Sequence, residues 1–282
     1  MSLLGNPDHL RMKPPRPPDS RRTASATLAA ACETAPGSGT GRVVITQPMY
    51  FPWVGILEQA RLAEIFVHYE DVQFSKGSFS NRVQVKTATG MHWLTVPLRS
   101  HALGQAIDEV EIDYRPDWAR SHRDKLKQAY AGSAFRSDML DLVDEVLSRQ
   151  YPSLAELSKA STMCLLRYFG LDHGRLFIDS PQLDIGGSGS RRVVDTCLRL
   201  GACRYLTGHG ARHYLQHEAF EAAGIDVEYI EYGLVPYPQM HGPFTPYVTA
   251  LDLVAHCGQD GASSIAGKPV AWRDFLAATG KT

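Results

Sequence analysis

The residues best suited to chemistry stand in short polar stretches beside prolines and glycines. The first stretch holds Gln47, Pro48, Tyr50, Pro52, Trp53 and Gly55. Its prolines stiffen the backbone, Gly55 permits close approach, and the Gln47 amide offers both a donor and an acceptor. Pre-organised polar groups between aromatic rings suit a small polar substrate, although a stiff loop capping the core explains the same pattern. The second stretch is DVQFSKGSFSNR at 71–82, where Asp71, Gln73, Lys76, Asn81 and Arg82 interleave with Phe74 and Phe79. Two cations beside two amides can hold a carboxylate, a phosphate or a developing oxyanion. A desolvated lysine can also act as base or nucleophile. The plainer alternative is a surface loop with Lys76 solvated and Arg82 bridging to Asp71.

Four weaker signals follow. GGSGS at 186–190 precedes Arg191 and Arg192 at an expected helix start, an arrangement that exposes backbone donors to an anion. It lacks the GKS/T ending of a Walker loop, and Ser188 fits equally well as a helix cap. His209, His213 and His217 are spaced four apart, so His213 and His217 share a face if that stretch is helical. Without HExxH, no metal is assigned to them. His122, four residues after Trp118 and eight before Tyr130, is a candidate base, although a helical histidine among Arg and Lys is commonly a surface residue. Finally, the segment at 232–252 contributes Tyr237, Gln239, Phe244, Pro246 and Asp252, which suit either a lid or packed irregular structure.

These residues need elements to position them. RVVITQ at 42–47 reads as a buried strand, ILEQARLAEI from Ile56 as a helix, and Ile65–Tyr69 as a second strand. That βαβ unit predicts a parallel sheet. Residues 81–87 and 92–98 read as a hairpin, and VEIDY at 110–114 as another strand. Helices are expected over 116–131, 135–147 and 153–169. Strands then alternate with helices: RLFID, GSRRVVDTCLRL, RYLTG, ARHYLQHEAFEAA and DVEYIEY, with closing helices over 247–257 and 269–278. The expected fold is α/β, a mostly parallel Rossmann-like sheet with flanking helices, a β-hairpin insertion and a helical middle segment. Ligands in such sheets bind beyond the carboxyl ends of the strands.

Composition narrows the function classes. The chain has 282 residues, 29 Lys plus Arg against 30 Asp plus Glu, and 44% hydrophobic residues. Near-neutrality argues against a general nucleic-acid binder, and no apolar run approaches the roughly 20 residues that span a bilayer. Five scattered cysteines without CxxC spacing, and no secretory signal, suggest a reduced cytoplasmic protein. The average hides a boundary: residues 1–42 carry six prolines, a basic excess and no aromatic residue. They read as a disordered tail, an organelle-type leader or an over-extended gene start, before a single domain over 43–282.

Several stretches in fixed order resemble the WbqC-like family: ITQPMYFPWVG, DVQFSKGSFSNR, HWLTVPL, Trp118 with His122 and Tyr130, RYLTG, and YPQMHGPFTPYVTALDL. The resemblance spans about 43–258, with Thr249–Asp252 departing from the usual Ser-Ile-Leu-Asp phrase. It implies a place in surface-polysaccharide, notably O-antigen, or natural-product biosynthesis. It also implies transfer of an acyl or aminoacyl group, such as glycyl, to an amine of a sugar nucleotide or related intermediate. The donor could be a carrier protein, CoA or an aminoacyl-tRNA, and the cofactor is left open. Carried onto this chain, the family motifs single out Gln47, Tyr50, Lys76, Asn81, Arg82, His122, Gly208 and Gln239. In that scheme His122 is the base, Lys76, Asn81 and Arg82 supply the positive field, and Gln47 and Tyr50 orient the acceptor. Trp53, Gln73, Ser188, Arg191 and Tyr237 complete the expected binding set. A fainter similarity to nucleotidylyltransferase-like folds suggests a nucleotide-dependent enzyme, although the HxGH loop is missing. A non-catalytic binding protein for a biosynthetic intermediate is the third reading.

Overall fold

The computed structural model describes residues 40–280. The expectation for residues 1–39 lies outside that range, whereas residues 40–42 belong to the first strand and not to a tail. The main sheet comprises β1 (Thr40–Thr46), β2 (Ile65–His68), β5 (Leu176–Asp179), β6 (Ala202–Thr207), β7 (Asp226–Glu231) and β8 (Lys268–Ala271). Its order is β5-β2-β1-β6-β7-β8, parallel throughout except for the β7–β8 pair. β3 (Arg82–Thr87) and β4 (Gly90–Thr95) form a separate antiparallel hairpin. The helices are α1 (Val54–Leu62), α2 (Trp118–Ala129), α3 (Arg136–Leu147), α4 (Leu154–Tyr168), α5 (Gly189–Arg199), α6 (His217–Ala222), α7 (Leu251–Cys257) and α8 (Trp272–Ala278). No helix of the described residues is long and apolar enough to cross a membrane.

Alternation along the strands divides the core between two faces. Val44, Phe66, Leu206 and Ile230 pack with α1–α4, α7 and the hairpin. Val43, Ile65, Val67, Tyr205 and Val227 pack with α5, α6 and α8. Because the chain winds from β1 outward to β2 and β5, then returns to β6 on the other side, the strand order reverses between β1 and β6 while the strands stay parallel. The loops beyond that point are where a doubly wound sheet leaves room for a ligand.

Three local expectations change. VEIDY is not a strand: Leu98 and Ile112 form an isolated bridge, and Pro97, which lacks an N–H, cannot extend the ladder. The expected helix over 269–278 begins at Trp272, because residues 268–271 pair with β7 as an edge strand, where Pro269 is tolerated. The stretch from Ala211 to Ala223 divides into a 3-10 turn, His209–His213, and the short α6. His213 and His217 therefore do not share a helical face. Nor do the three histidines converge: His209 bonds the Ile230 carbonyl at 2.7 Å, and His217 bonds the Tyr229 hydroxyl at 2.9 Å.

Candidate functional site

The loop after β1 is held in an uncommon shape. Phe51 is buried with φ 39°, a left-handed conformation that costs a bulky residue of the order of 1–3 kcal/mol. Neighbours from other elements hold it there. Its N–H donates to Ser161 Oγ of α4 at 2.8 Å, and its carbonyl accepts from Thr249 Oγ1 at 2.8 Å. On either side, Tyr50 N–H donates to the Phe79 carbonyl, and Ala250 N–H to the Pro52 carbonyl.

This turn opens a cavity of about 230 Å³, walled by Tyr50, Pro52, Trp53, Phe79, Gln84 and Tyr247 among others. Phe79 and Tyr247 are 51% and 61% exposed, so the aromatic rim is open to solvent. Trp53 packs against Tyr232 and Tyr247 with ring centroids 4.6 and 6.0 Å apart. Beside the mouth, the Arg82 guanidinium lies 4.2 Å from the Trp93 ring centre, and Trp93 touches Phe79. Arg82 does not bridge to Asp71. Among the described residues neither it nor the exposed Lys76 has a carboxylate partner, and Arg82 Nε is buried without a hydrogen bond. Arg82 also explains the glycine at 77, whose φ of 77° places its backbone against the guanidinium.

Other expected residues position this pocket. Asn81 is buried, donating from its amide nitrogen to the Val96 carbonyl at 3.1 Å, and so pins the base of the hairpin. His122 is also buried, bonded through Nδ1 to the Tyr50 hydroxyl at 3.0 Å and packed against Trp118. Burial, aided by the nearby Lys125 charge, lowers its pKa to about 4. The enclosed ring is placed to orient the Tyr50 hydroxyl. Tyr237 and Gln239 both donate to the Asp252 carboxylate, at 2.8 and 2.9 Å. Lys86, buried on β3, donates to Gln239 Oε1 and to the Gly242 and Pro243 carbonyls. The network fixes the segment that delivers Tyr247 to the pocket.

The remaining expected residues lie apart from the cavity walls. Gln47 follows β1, half-buried, and Gln73 is exposed beside an isolated bridge to Ala106. Ser188 precedes α5 without a capping bond, and exposed Arg191 pairs with Asp195 at 3.0 Å. Arg192, expected to be open to anions, is buried and bound to Asp71. Gly208 approaches Tyr232 so closely that a Cβ would stand 3.0 Å from its hydroxyl.

Sequence reading places α4 but misses its part in organising these loops. Ser158 donates to the Ser80 carbonyl, Ser161 holds Phe51, and Thr162 donates to the Met49 carbonyl. Between them, Lys159 is buried and bonds Glu70, Glu156 and Asp179 at 2.8, 2.8 and 2.9 Å. Those carboxylates are close enough to hold a metal ion, but the ammonium already occupies their focus. Burial pushes Lys159 down, yet the carboxylate hydrogen bonds outweigh it and its pKa rises. Burial raises Glu70 to about 7 despite Lys159. A hydroxyl-and-lysine run inside a helical pattern was the only available signal.

The architecture is that of a doubly wound α/β protein with a pocket beside its first strand. The chain belongs to the WbqC-like protein family, whose model matches residues 47–264. It is 29% identical over 222 residues to the uncharacterized protein Rv1507c of Mycobacterium tuberculosis (strain ATCC 25618 / H37Rv), covering 78% of this chain and 95% of that protein. No solved structure matches it.

Proposed function

We propose that this protein is a transferase that binds a ring-containing, anion-bearing biosynthetic intermediate in the aromatic pocket and acylates or aminoacylates its amine. The observation that carries this reading is the unpaired Arg82 beside an open aromatic cavity, at the loop after the first strand. Aromatic walls suit the faces of a sugar or base, and the guanidinium suits a phosphate or carboxylate. In the reaction, the amine nitrogen would bond to the donor carbonyl carbon. The donor's ester or thioester bond would break, and the ammonium proton would pass to solvent or to the leaving group. A cytoplasmic place in surface-polysaccharide or natural-product biosynthesis is consistent with this chemistry.

A second reading, a non-catalytic carrier of the same intermediate, is favoured by the absence of Ser, Cys, Lys, His or a carboxylate among the pocket's described walls and by the enclosure of His122. One experiment separates them. The protein is incubated with an amino-sugar nucleotide and with glycine activated as a thioester or a tRNA ester. Product formation by mass spectrometry supports transfer, tight binding without product supports the carrier, and no binding of any such nucleotide defeats both.

A further inference from the structure

A second cavity of about 280 Å³ lies between the hairpin, α2 and His241. Val85, Leu94 and Ala129 give it an apolar floor, and Trp93 adds an aromatic edge. Its polar wall comes from Lys125 and Gln128, three residues apart and therefore on one face of α2, with His92 and His241 opposite. Lys125 and Gln128 are exposed, and among the described residues their side chains have no hydrogen-bond or ion-pair partner. No acidic side chain is among the described residues that line the cavity, so the Lys125 charge is uncompensated there.

A second observation is independent of charge. His241 is a non-glycine residue at φ 67°, held by donation from its Nε2 to the Ala129 carbonyl at the end of α2, 2.7 Å away. Backbone strain of this kind persists where the surroundings over-determine it and clusters at ligand sites. Here it closes one side of a cavity that already holds an unpaired cation and an unpaired amide.

We propose that this cavity is a binding site for a small organic anion, a carboxylate or phosphate ester carried on an apolar or ring body. Lys125 and Gln128 hold the anionic group, while Val85, Leu94 and Trp93 cover the body. At about 30 Å³ per water, the volume equals roughly nine waters and fits a molecule of the order of ten non-hydrogen atoms. The site does not depend on what the aromatic pocket beside β1 binds.

Calorimetry on the full chain with phenyl phosphate, benzoate and benzyl alcohol tests the proposal. At least one anion should bind, with the neutral alcohol at least about tenfold weaker. Lys125→Ala, an exposed helical change that leaves the core intact, should weaken the anion roughly tenfold, and Lys125→Arg should restore most of it. Gln128→Glu should weaken it further than Lys125→Ala, because it places a like charge beside the ligand. Binding of phenyl phosphate alone would assign phosphate esters, and of benzoate alone carboxylates. The proposal is overturned if neither anion binds below about 10 mM, or if binding survives both Lys125→Ala and Gln128→Glu unchanged.

Discussion

Two regions lie on either side of α4, and they treat charge in opposite ways. At the carboxyl ends of β2 and β5, Lys159, Arg192, Glu70, Asp71 and Asp179 are all paired, and Ser180 Oγ adds a 2.5 Å hydrogen bond to Asp71. Beside the pocket, Arg82 rests on Trp93 and, among the described residues, has no carboxylate partner; nor does the exposed Lys76 in the preceding loop. Paired buried charge locks loops in register, because breaking a pair strands the other charge. Unpaired cations beside aromatic rings contribute little to the fold and are free for a ligand. The contrast separates positioning machinery from binding surface within one end of the sheet.

The strongest way to break this distinction is Lys159→Met. It leaves three carboxylates facing one another, and we expect a loss of about 3–5 kcal/mol in urea denaturation. Adding Glu70→Gln should recover part of that loss. A loss below about 1 kcal/mol would mean that the cluster is not the anchor described here.

The pH dependence gives the next largest effect. His68 and His122 are both lowered to about 4, chiefly by burial. Between 4 and their ordinary 6.5 the unfolded state binds more protons, so their contribution to stability is lost as pH falls through that window. Glu70, raised from 4.5 to about 7, acts oppositely: its folded state holds the extra proton, so its contribution grows as pH falls from 7. From these three groups alone, two histidines against one carboxyl contribute an acid destabilisation of up to about 1.4 kcal/mol per pH unit between pH 5 and 6. His122→Asn should nearly flatten that slope. Denaturant melts across that range measure it, and an unchanged slope would place His122 in solvent.

An effect of similar size tests the link between the regions. Ser161→Ala removes the acceptor for the buried Phe51 N–H and should cost about 1–3 kcal/mol. Because Phe51 is strained, the loop should also relax, and ligand affinity at the pocket should fall together with stability. If stability falls and affinity does not, α4 holds the fold without shaping the pocket.

Much of the sheet was legible because β-branched runs such as Val43–Ile45 leave few alternatives to a buried strand. The loop after β1 was legible through its prolines and aromatics, and Tyr50, Trp53 and Phe79 do meet at one cavity. What escaped were contacts that form only across the fold. Lys86 sits in an alternating strand pattern that predicts a solvated lysine, yet its partners are more than 150 residues away. Arg191 and Arg192 are adjacent in sequence, but helical rotation sends one to solvent and the other to Asp71. His122 looked like a surface residue or a base until α2 turned it beneath Tyr50.

The smallest expected change in stability is the most discriminating for function. Arg82→Ala removes a cation–π contact beside a partly exposed tryptophan, worth about 0.5–1 kcal/mol, and breaks no ion pair. Its thermal midpoint should therefore stay close to that of the parent chain, unlike that of Lys159→Met. If the guanidinium receives the anionic group of a ligand, the same change should weaken an amino-sugar nucleotide roughly tenfold or more. Arg82→Lys should restore only part of that affinity, because lysine lacks the planar fork and stacks poorly on Trp93. A variant that loses stability but not affinity would move Arg82 into the positioning class and leave Lys76 as the cation to test next.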